Sequence, residues 1–158
     1  MRLGVVSDSH RYLVSLEYAV KQMGKIDMLL HAGDLYSDAE HIEGLIGVPV
    51  IAVAGNCDYI NAPSEREITI AGKKIFLVHG HKFGVKLGIE RIGYYAEEKG
   101  YDVVIFGHTH TPLVTKWGET LLLNPGSVGL PRGTNQRTFG IIELRAQELQ
   151  GRILPLVE

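Results

Sequence analysis

The chain has 158 residues, an ordinary apolar fraction and a formal charge of −2, which predicts a single domain over 1–158. A charge so close to zero disfavours a protein that binds extended nucleic acid or a membrane surface. The one cysteine, Cys57, excludes an internal disulfide, and neither a signal peptide nor a membrane-spanning apolar run is visible. We therefore expect a cytoplasmic protein.

Buried strands and helices alternate in the first half of the chain. The predicted elements are a strand at 3–7, a helix at 12–23, a strand at 27–31, a helix at 37–46 and a strand at 49–54. The second helix is predicted from a capping box, in which Ser37 is followed three residues later by Glu40. This alternation indicates parallel strands with helices on the faces of the sheet.

The second half is richer in predicted strands. It contains a helix at 86–99 and strands at 67–71, 74–79, 103–106, 113–117, 120–123, 138–144 and 151–157. The later hairpins add antiparallel pairs, which we assign to a second sheet. We expect an α/β fold, namely a four-layer α/β/β/α sandwich of two mixed β-sheets flanked by helices.

Five predicted strands are followed directly by side chains that bind metal ions. These side chains are Asp8, His10, Asp34, Asn56, His79, His108 and His110. Ligands of α/β sheets bind at the carboxyl ends of the strands, which predicts one shared site. Residues two apart in extended backbone face the same side, so the pairs at 8 and 10 and at 108 and 110 can each point to one place.

The donor types indicate which ions would bind. Carboxylate, amide and imidazole groups suit Mn²⁺, Fe²⁺, Co²⁺, Ni²⁺ or Zn²⁺. Seven side chains are too many for one tetrahedral ion and suit two divalent metal ions with a bridging carboxylate. Two such ions would outweigh Asp8 and Asp34 by about two charges. That surplus would attract a phosphate and lower the pKa of a bound water towards about 7, so that a metal-bound hydroxide attacks phosphorus.

Five short segments occur in an order that resembles a known enzyme superfamily. They are Asp8-Ser9-His10, Gly33-Asp34, Gly55-Asn56, His79-Gly80-His81 and Gly107-His108-Thr109-His110. Together they resemble the calcineurin-like metallophosphoesterase superfamily. The short length, with Gly55-Asn56-Cys57-Asp58 and Asn124-Pro125-Gly126-Ser127-Val128, is most similar to its YfcE-like phosphodiesterase branch. The resemblance spans about 3–139 and implies the same double-sheet sandwich.

The resemblance also implies a role for each ligand. The first metal would be held by Asp8, His10 and His110. The second would be held by Asn56, His79 and His108, and Asp34 would bridge both. The implied activity is hydrolysis of a phosphate ester with Asp34 and Asn56 at the reacting centre. A homodimer is compatible with the family, although the composition does not indicate one.

One position departs from the family pattern. Many members carry a histidine after the Gly-Asn pair, taken as the proton donor to the leaving group, but this chain has Cys57. A thiol with a reference pKa of about 8.5 is a poor substitute. We therefore expect slow cleavage of esters with basic leaving groups. His81 is close enough in sequence to supply the proton instead.

Candidate contacts to a small phosphorylated substrate are Asn56, Gly126, Ser127 and Arg132. Gly126 and Ser127 could turn backbone N–H groups towards a phosphate, but a plain turn explains them equally well. Arg132 and Arg137 could reach the phosphate, although a solvated arginine is the commoner case.

Three functions remain open at this point. The first is a metal-dependent phosphodiesterase. The second, with related chemistry, is a phosphomonoesterase or a dinucleotide polyphosphate hydrolase, which Cys57 disfavours. The third is a non-catalytic interaction scaffold of the same fold, like the retromer subunit that shares it. The intact candidate ligands disfavour this scaffold interpretation.

Overall fold

The computed structural model describes residues 1–158 and contains ten strands and three α-helices. In chain order these are β1 (Arg2–Val6), α1 (Leu13–Met23), β2 (Met28–His31), α2 (Tyr36–Glu43), β3 (Val50–Ala52), β4 (Glu65–Ile70), β5 (Lys73–Val78), α3 (Glu90–Lys99), β6 (Val103–Ile105), β7 (Leu113–Trp117), β8 (Thr120–Asn124), β9 (Thr138–Arg145) and β10 (Glu148–Pro155). A short 3₁₀ helix at His81–Phe83 lies between β5 and α3. No helix combines the length and apolar content that crossing a membrane requires.

The strands form two mixed sheets, as the sequence predicts, and each sheet has five strands. The first sheet has the order β10-β9-β1-β2-β3, in which β1 is parallel to β2 and antiparallel to β9. The second has the order β4-β5-β6-β8-β7, in which β6 is parallel to both β5 and β8. The assignment of all later hairpins to the second sheet was wrong. The final hairpin completes the first sheet, because Leu3 of β1 pairs with Ile142 of β9.

Three apolar layers hold the sheets and helices together. Branched side chains such as Val5, Ile75 and Ile142 are fully buried between the two sheets. Helices α1 and α2 cover the outer face of the first sheet, where Leu16 is buried. Helix α3 covers the outer face of the second sheet through Ile92. This arrangement confirms the four-layer α/β/β/α sandwich.

The capping box predicted for the second helix was wrong. Helix α2 begins at Tyr36, which places Ser37 inside the first turn. The side chain of the N-cap residue Leu35 makes no capping hydrogen bond, and Tyr36 N–H donates to Asp58 Oδ1 at 2.8 Å. An acidic side chain, Asp38, lies in the first turn instead. Its negative charge is favourable beside the positive end of the helix dipole.

Two other elements begin three or more residues away from the predicted position. Helix α3 begins at Glu90 rather than at Lys86, because Gly88 has a φ of 143°, which is incompatible with a helix. Strand β10 begins at Glu148 rather than at Gly151, because the pairing with β9 extends up to the hairpin turn.

The loops that follow β1, β2, β5 and β6 meet at one edge of the sandwich. Backbone hydrogen bonds join them within each sheet: Asp8 N–H donates to Gly33 O at 2.8 Å, and Gly107 N–H donates to His79 O at 2.9 Å. Asp8 and His79, which follow strands of different sheets, approach to 3.8 Å through their side chains. The carboxyl ends of parallel strands from both sheets therefore share one site.

Candidate metal centre

Asp8 lies at the end of β1 and is fully buried. Its Oδ2 accepts hydrogen bonds from the Ser7 hydroxyl at 2.7 Å and from His108 N–H at 3.0 Å. Its Oδ1 lies 3.2 Å from His110 Nε2 and 3.8 Å from His10 Nε2. One oxygen is thus held by the protein, and the other faces the imidazoles.

Asp34 has the same division between its two oxygens. Its Oδ1 accepts a hydrogen bond from Cys57 N–H at 3.0 Å. Its Oδ2 lies 3.3 Å from His79 Nε2 and 3.9 Å from His10 Nε2. Asp34 therefore stands between histidines that follow strands of two different sheets.

Two histidines are oriented by backbone carbonyls. The Nδ1 of His79 donates to Ala32 O at 2.7 Å, and the Nδ1 of His110 donates to Leu130 O. These contacts turn Nε2 of each ring towards the carboxylates, which is the usual way in which proteins orient metal-binding histidines. Asn56 joins the same group, because its Oδ1 lies 3.0 Å from His79 Nε2.

His108 and His81 lie beside His79. The ring centroid of His108 is 5.0 Å from that of His79, and the centroid of His81 is 6.0 Å from that of His108. Burial and the charges of His79 and Lys86 lower the pKa of His108 to about 4. The Nδ1 of His81 is buried without a hydrogen-bond partner. All seven predicted ligands are thus gathered at one edge of the sandwich.

Several of these residues have left-handed backbone conformations. The positive φ angles at the site belong to Asp8 (53°), His10 (44°), Asp34 (40°), His108 (70°) and His110 (59°). This region is unfavourable for residues with a side chain and costs on the order of 1–3 kcal/mol each. Strained backbone at every one of these candidate ligands indicates that the surrounding hydrogen bonds hold them in place.

Two glycines allow the loops to approach each other. A Cβ at Gly55 would lie 1.9 Å from Asp34 Oδ1, and a Cβ at Gly107 would lie 2.0 Å from Ser7 Oγ. Any side chain at either position would displace a carboxylate or its hydrogen-bond donor. The glycines are therefore part of the ligand geometry.

Neighbouring histidines lower the pKa values of both carboxylates, and a carboxylate raises the pKa of one histidine. Burial would raise the pKa of Asp8, but His10 and His110 outweigh it and hold that pKa well below its usual range. The same opposition, with His79 as the counter-charge, lowers the pKa of Asp34 to about 2. The Asp8 carboxylate raises the pKa of His10. Both carboxylates therefore stay ionised, and Asp8 Oδ1 and Asp34 Oδ2 face the histidines.

The donor atoms fit divalent cations. Three sets of donors have all their atoms within 4.8 Å of one another: Asp8 with His10 and His110, Asp8 with Asp34 and His79, and His10 with Asp34 and Cys57. Asp8 Oδ1 and His10 Nε2 are buried, and neither has a hydrogen-bond partner. Buried polar atoms in proteins are normally paired, so these two atoms favour a bound cation, to which both a carboxylate oxygen and an imidazole nitrogen can donate a lone pair.

Cys57 lies beside the same cluster. Its Sγ is close to donor atoms of His10 and Asp34. Burial and the Asp34 carboxylate raise the pKa of Cys57 to about 11. The thiol therefore stays protonated at neutral pH and is a weak proton donor.

The predicted substrate contacts at Gly126 and Ser127 have other partners. Gly126 N–H donates to Asn124 Oδ1 at 2.9 Å. The Ser127 hydroxyl donates to Asp8 O at 2.7 Å and accepts from Leu130 N–H at 2.7 Å. The Gly126 N–H and the Ser127 hydroxyl are therefore engaged within the protein, and the Ser127 hydroxyl supports the loop of Asp8.

The two candidate arginines differ in their surroundings. Arg137 donates to Gly129 O, Ser15 Oγ and the Glu158 carboxylate, and it lies over the Tyr12 ring. Its guanidinium is committed to the protein. Arg132 makes no hydrogen bond through its guanidinium and lines an open groove of about 590 Å³. Only Arg132 is free to approach a substrate.

Sequence reasoning missed a buried hydrogen-bond network behind the ligands. His31 Nδ1 accepts from Gly33 N–H at 3.1 Å, and His31 Nε2 lies 3.0 Å from Ser9 Oγ. Ser9 Oγ donates to Asp38 Oδ2 at 2.6 Å. The only sequence signal was the position of Ser9 between two ligands, because His31 and Asp38 carry no spacing pattern of their own.

Comparison with known proteins relates this geometry to a family. The sequence profile of the calcineurin-like phosphoesterase superfamily domain matches residues 1–147. The chain belongs to this superfamily. A probable metallophosphoesterase of Methanocaldococcus jannaschii is 34% identical, over 100% of this chain and 83% of that protein. The phosphodiesterase YfcE of Escherichia coli K12 is 30% identical, over 90% of this chain and 88% of that protein.

Solved structures of the calcineurin-like superfamily fold superpose over nearly the whole chain. A predicted phosphoesterase of Streptococcus pneumoniae has a TM-score of 0.81 at 29% identity and covers 98% of this chain and 88% of its own. A single mutant of Vps29 from Entamoeba histolytica has a TM-score of 0.84 at 25% identity and covers 100% and 94%. These similarities confirm the predicted superfamily, its YfcE-like branch and the fold. The chain is a metallophosphoesterase.

Proposed function

We propose that this metallophosphoesterase holds two divalent metal ions and hydrolyses a small phosphate diester. The observation that carries the proposal is the pair of buried, unpartnered atoms in the cluster, Asp8 Oδ1 and His10 Nε2. An unsatisfied buried polar group costs about 1–3 kcal/mol, and a bound cation would remove that cost. Carboxylate, amide and imidazole donors suit Mn²⁺, Ni²⁺, Zn²⁺, Co²⁺ or Fe²⁺.

In this proposal the seven ligands are divided between two ions. The first would bind Asp8, His10 and His110, and the second would bind Asn56, His79 and His108. Asp34 would bridge them. The position of Asp34 Oδ2, at 3.3 Å from His79 Nε2 and 3.9 Å from His10 Nε2, supports the bridging assignment.

The protein groups around the two ions would bind and orient the diester. When bound, the cations supply positive charge that holds phosphoryl oxygens and makes a water molecule nucleophilic. The exposed Asn56 donates a hydrogen bond to a phosphoryl oxygen through its amide. Arg132 pairs with the phosphate from the adjacent groove. His81 donates a hydrogen bond to the oxygen of the leaving group.

The leaving group determines which esters should react. Cys57 lies in the cluster, and a thiol, with a reference pKa of about 8.5, is a poor proton donor to a departing oxygen. A general acid normally contributes about 10²–10⁴-fold to the rate of such a step. Diesters with weakly basic leaving groups are therefore the substrates that this centre suits best.

A paired assay tests the proposal. The protein is stripped with a chelator and reconstituted in turn with Mn²⁺, Ni²⁺, Co²⁺, Zn²⁺ and Fe²⁺. Hydrolysis of bis(4-nitrophenyl) phosphate and of 4-nitrophenyl phosphate is then measured beside the metal content. We expect two ions per chain and faster cleavage of the diester. His41→Asn, which alters an exposed histidine paired with Glu17, is the control and should behave as the unaltered protein.

The other outcomes separate the remaining functions. Faster cleavage of the monoester would favour a phosphomonoesterase or a dinucleotide polyphosphate hydrolase. Failure of every metal to stimulate either reaction would favour the interaction scaffold. A cytoplasmic homodimer is also part of the proposal, and size-exclusion chromatography with light scattering would measure the subunit number.

A further inference from the structure

We propose that His31 is a positioning residue of the metal centre, which in its neutral form connects the loops that carry Asp8 and Asp34. The inference rests on the proposed metal centre, because it assigns His31 a function towards metal binding. His31 is the last residue of β2 and is fully buried. It is not among the predicted metal ligands.

The hydrogen bonds of His31 allow one tautomer only. Gly33 N–H donates to Nδ1 at 3.1 Å, so Nδ1 must be unprotonated. The proton therefore resides on Nε2, which donates to Ser9 Oγ at 3.0 Å. A charged imidazolium would place an N–H opposite another N–H at Gly33. The geometry thus requires a neutral ring.

The direction of the remaining bonds follows from this tautomer. Ser9 Oγ accepts from His31, so its own proton is directed to Asp38 Oδ2 at 2.6 Å. Asp38 Oδ2 also accepts from Arg11 N–H at 2.8 Å. The chain of bonds therefore runs in one direction from the Gly33 amide through His31 and Ser9 to a carboxylate on α2. Ser9, His31 and Asp38 are all buried.

This chain joins the two loops that carry the carboxylates. Ser9 lies between Asp8 and His10, and Gly33 directly precedes Asp34. Asp8, His10 and Asp34 have φ angles of 53°, 44° and 40°, which are unfavourable unless surrounding contacts hold them. The network supplies such contacts from behind the ligands. His31 therefore sets the separation of the two carboxylates, although it is not one of the predicted ligands.

Metal affinity is the property that this function predicts. His31→Phe removes both hydrogen bonds of the ring with a side chain of similar size, whereas His31→Gln retains a donor near the position of Nε2. Calorimetric titration of the metal-free proteins with Mn²⁺ should give an affinity about 10–100-fold lower for His31→Phe, the usual effect of losing a group that orients ligands. His31→Gln should recover part of that loss. His41→Phe, at an exposed histidine, is the matched control.

A double-mutant cycle tests the connection through Ser9. If His31 acts through Ser9, Ser9→Ala should lower the Mn²⁺ affinity, and adding His31→Phe should lower it much less than it does alone. Thermal unfolding of the metal-free proteins measures structural damage separately. Reduced melting temperatures with unchanged Mn²⁺ affinity would overturn the proposal, because His31 would then support the fold only.

Imidazole ¹⁵N NMR of the unaltered protein provides a test that needs no variant to fold. We expect the His31 ring to be neutral, with its proton on Nε2, at neutral pH. An imidazolium, or a ring protonated on Nδ1 only, would overturn the proposal. Absence of Mn²⁺ binding in the unaltered protein would instead reject the proposed function, so the two failures are distinguishable.

Discussion

His31 and His79 occupy similar positions in the two sheets. His31 ends β2 of the first sheet, and His79 follows β5 of the second. Both are fully buried, yet their ionisation shifts in opposite directions. Burial lowers the pKa of His31 to about 4. Burial also acts to lower the pKa of His79, but the carboxylates of Asp34 and Asp8 outweigh it and raise that pKa.

The difference shows that partners, not burial, determine what each histidine does. His31 meets an N–H donor and a hydroxyl, which hold it neutral. His79 meets two carboxylates and the Asn56 amide oxygen, so its Nε2 faces oxygen atoms that could bind the same cation. Gly33 approaches both rings: its N–H donates to His31 Nδ1, and a Cβ at this position would lie 2.6 Å from His79 Nδ1.

Removal of the Asp34 charge should have the largest effect, because His79 would lose one of the two carboxylates that distinguish it from His31. Asp34→Asn takes away the carboxylate that stands between His79 and His10. Loss of a group that merely orients a ligand costs about 10–100-fold, so loss of this ligand should lower kcat by more than about 100-fold. The kcat for the aryl diester and the metal content together check this expectation. Glu119→Gln, at an exposed turn, removes the same charge and should have no effect. Near-normal turnover in Asp34→Asn would refute the bridging assignment.

Acid should destabilise the folded protein, because His31 is held neutral there and must bind a proton at low pH. Its pKa is about 4 in the folded protein, against 6.5 for an unperturbed histidine, so the unfolded chain binds the proton more readily. Its contribution to stability is therefore complete above pH 6.5 and is lost as the pH falls towards 4. The difference between the folded and unfolded pKa values of His31 corresponds to about 3 kcal/mol in the free energy of unfolding.

Denaturant unfolding of the metal-free protein across this pH range measures that loss. The free energy of unfolding should fall less steeply with acid in His31→Phe than in the unaltered protein. His10 and His79 act in the opposite sense, because their raised pKa values make their contribution complete below pH 6.5. Equal slopes in the two proteins would mean that His31 is not held neutral.

Gly55→Ala should displace the Asp34 carboxylate and thereby disturb its contact with His79. The new Cβ would meet Asp34 Oδ1 at 1.9 Å, and this oxygen holds the carboxylate in place by accepting from Cys57 N–H. We expect a loss of Mn²⁺ affinity of about 10–100-fold, measured by calorimetric titration. Gly47→Ala is the matched control, because nothing lies within 4 Å of its Cβ. Equal affinities in the two variants would show that the Asp34 loop adapts.

Cys57→His should have the smallest effect of these variants. It tests whether residue 57 can donate a proton to the leaving group. A histidine at this position, with a reference pKa of about 6.5, would be a stronger proton donor than a thiol, with a reference pKa of about 8.5. The ratio of monoester to diester hydrolysis should rise by about tenfold, below the full contribution of a well-placed acid. Assays on the two aryl esters measure this ratio. A strong loss of both activities would indicate that the thiol is needed for packing.

The candidate ligands were predictable because each follows an apolar strand. Asp8, Asp34, Asn56, His79 and His108 come at or near the ends of such strands, and parallel strands bring these ends to one edge. The two-sheet sandwich followed from the same runs. The capping box at Ser37 failed because the helix begins one residue earlier, at Tyr36, whose N–H donates to the distant Asp58 carboxylate.

The sequence by itself determined the donor set and its order, since these depend on residue types beside strands. Only the tertiary structure decided which oxygen of each carboxylate is free and which histidine is neutral. It also decided that Ser127 supports Asp8 while Arg132 stays free. The physical reason is that hydrogen bonds between segments far apart in the chain, such as His31 with Ser9, depend on a packing that no local pattern encodes.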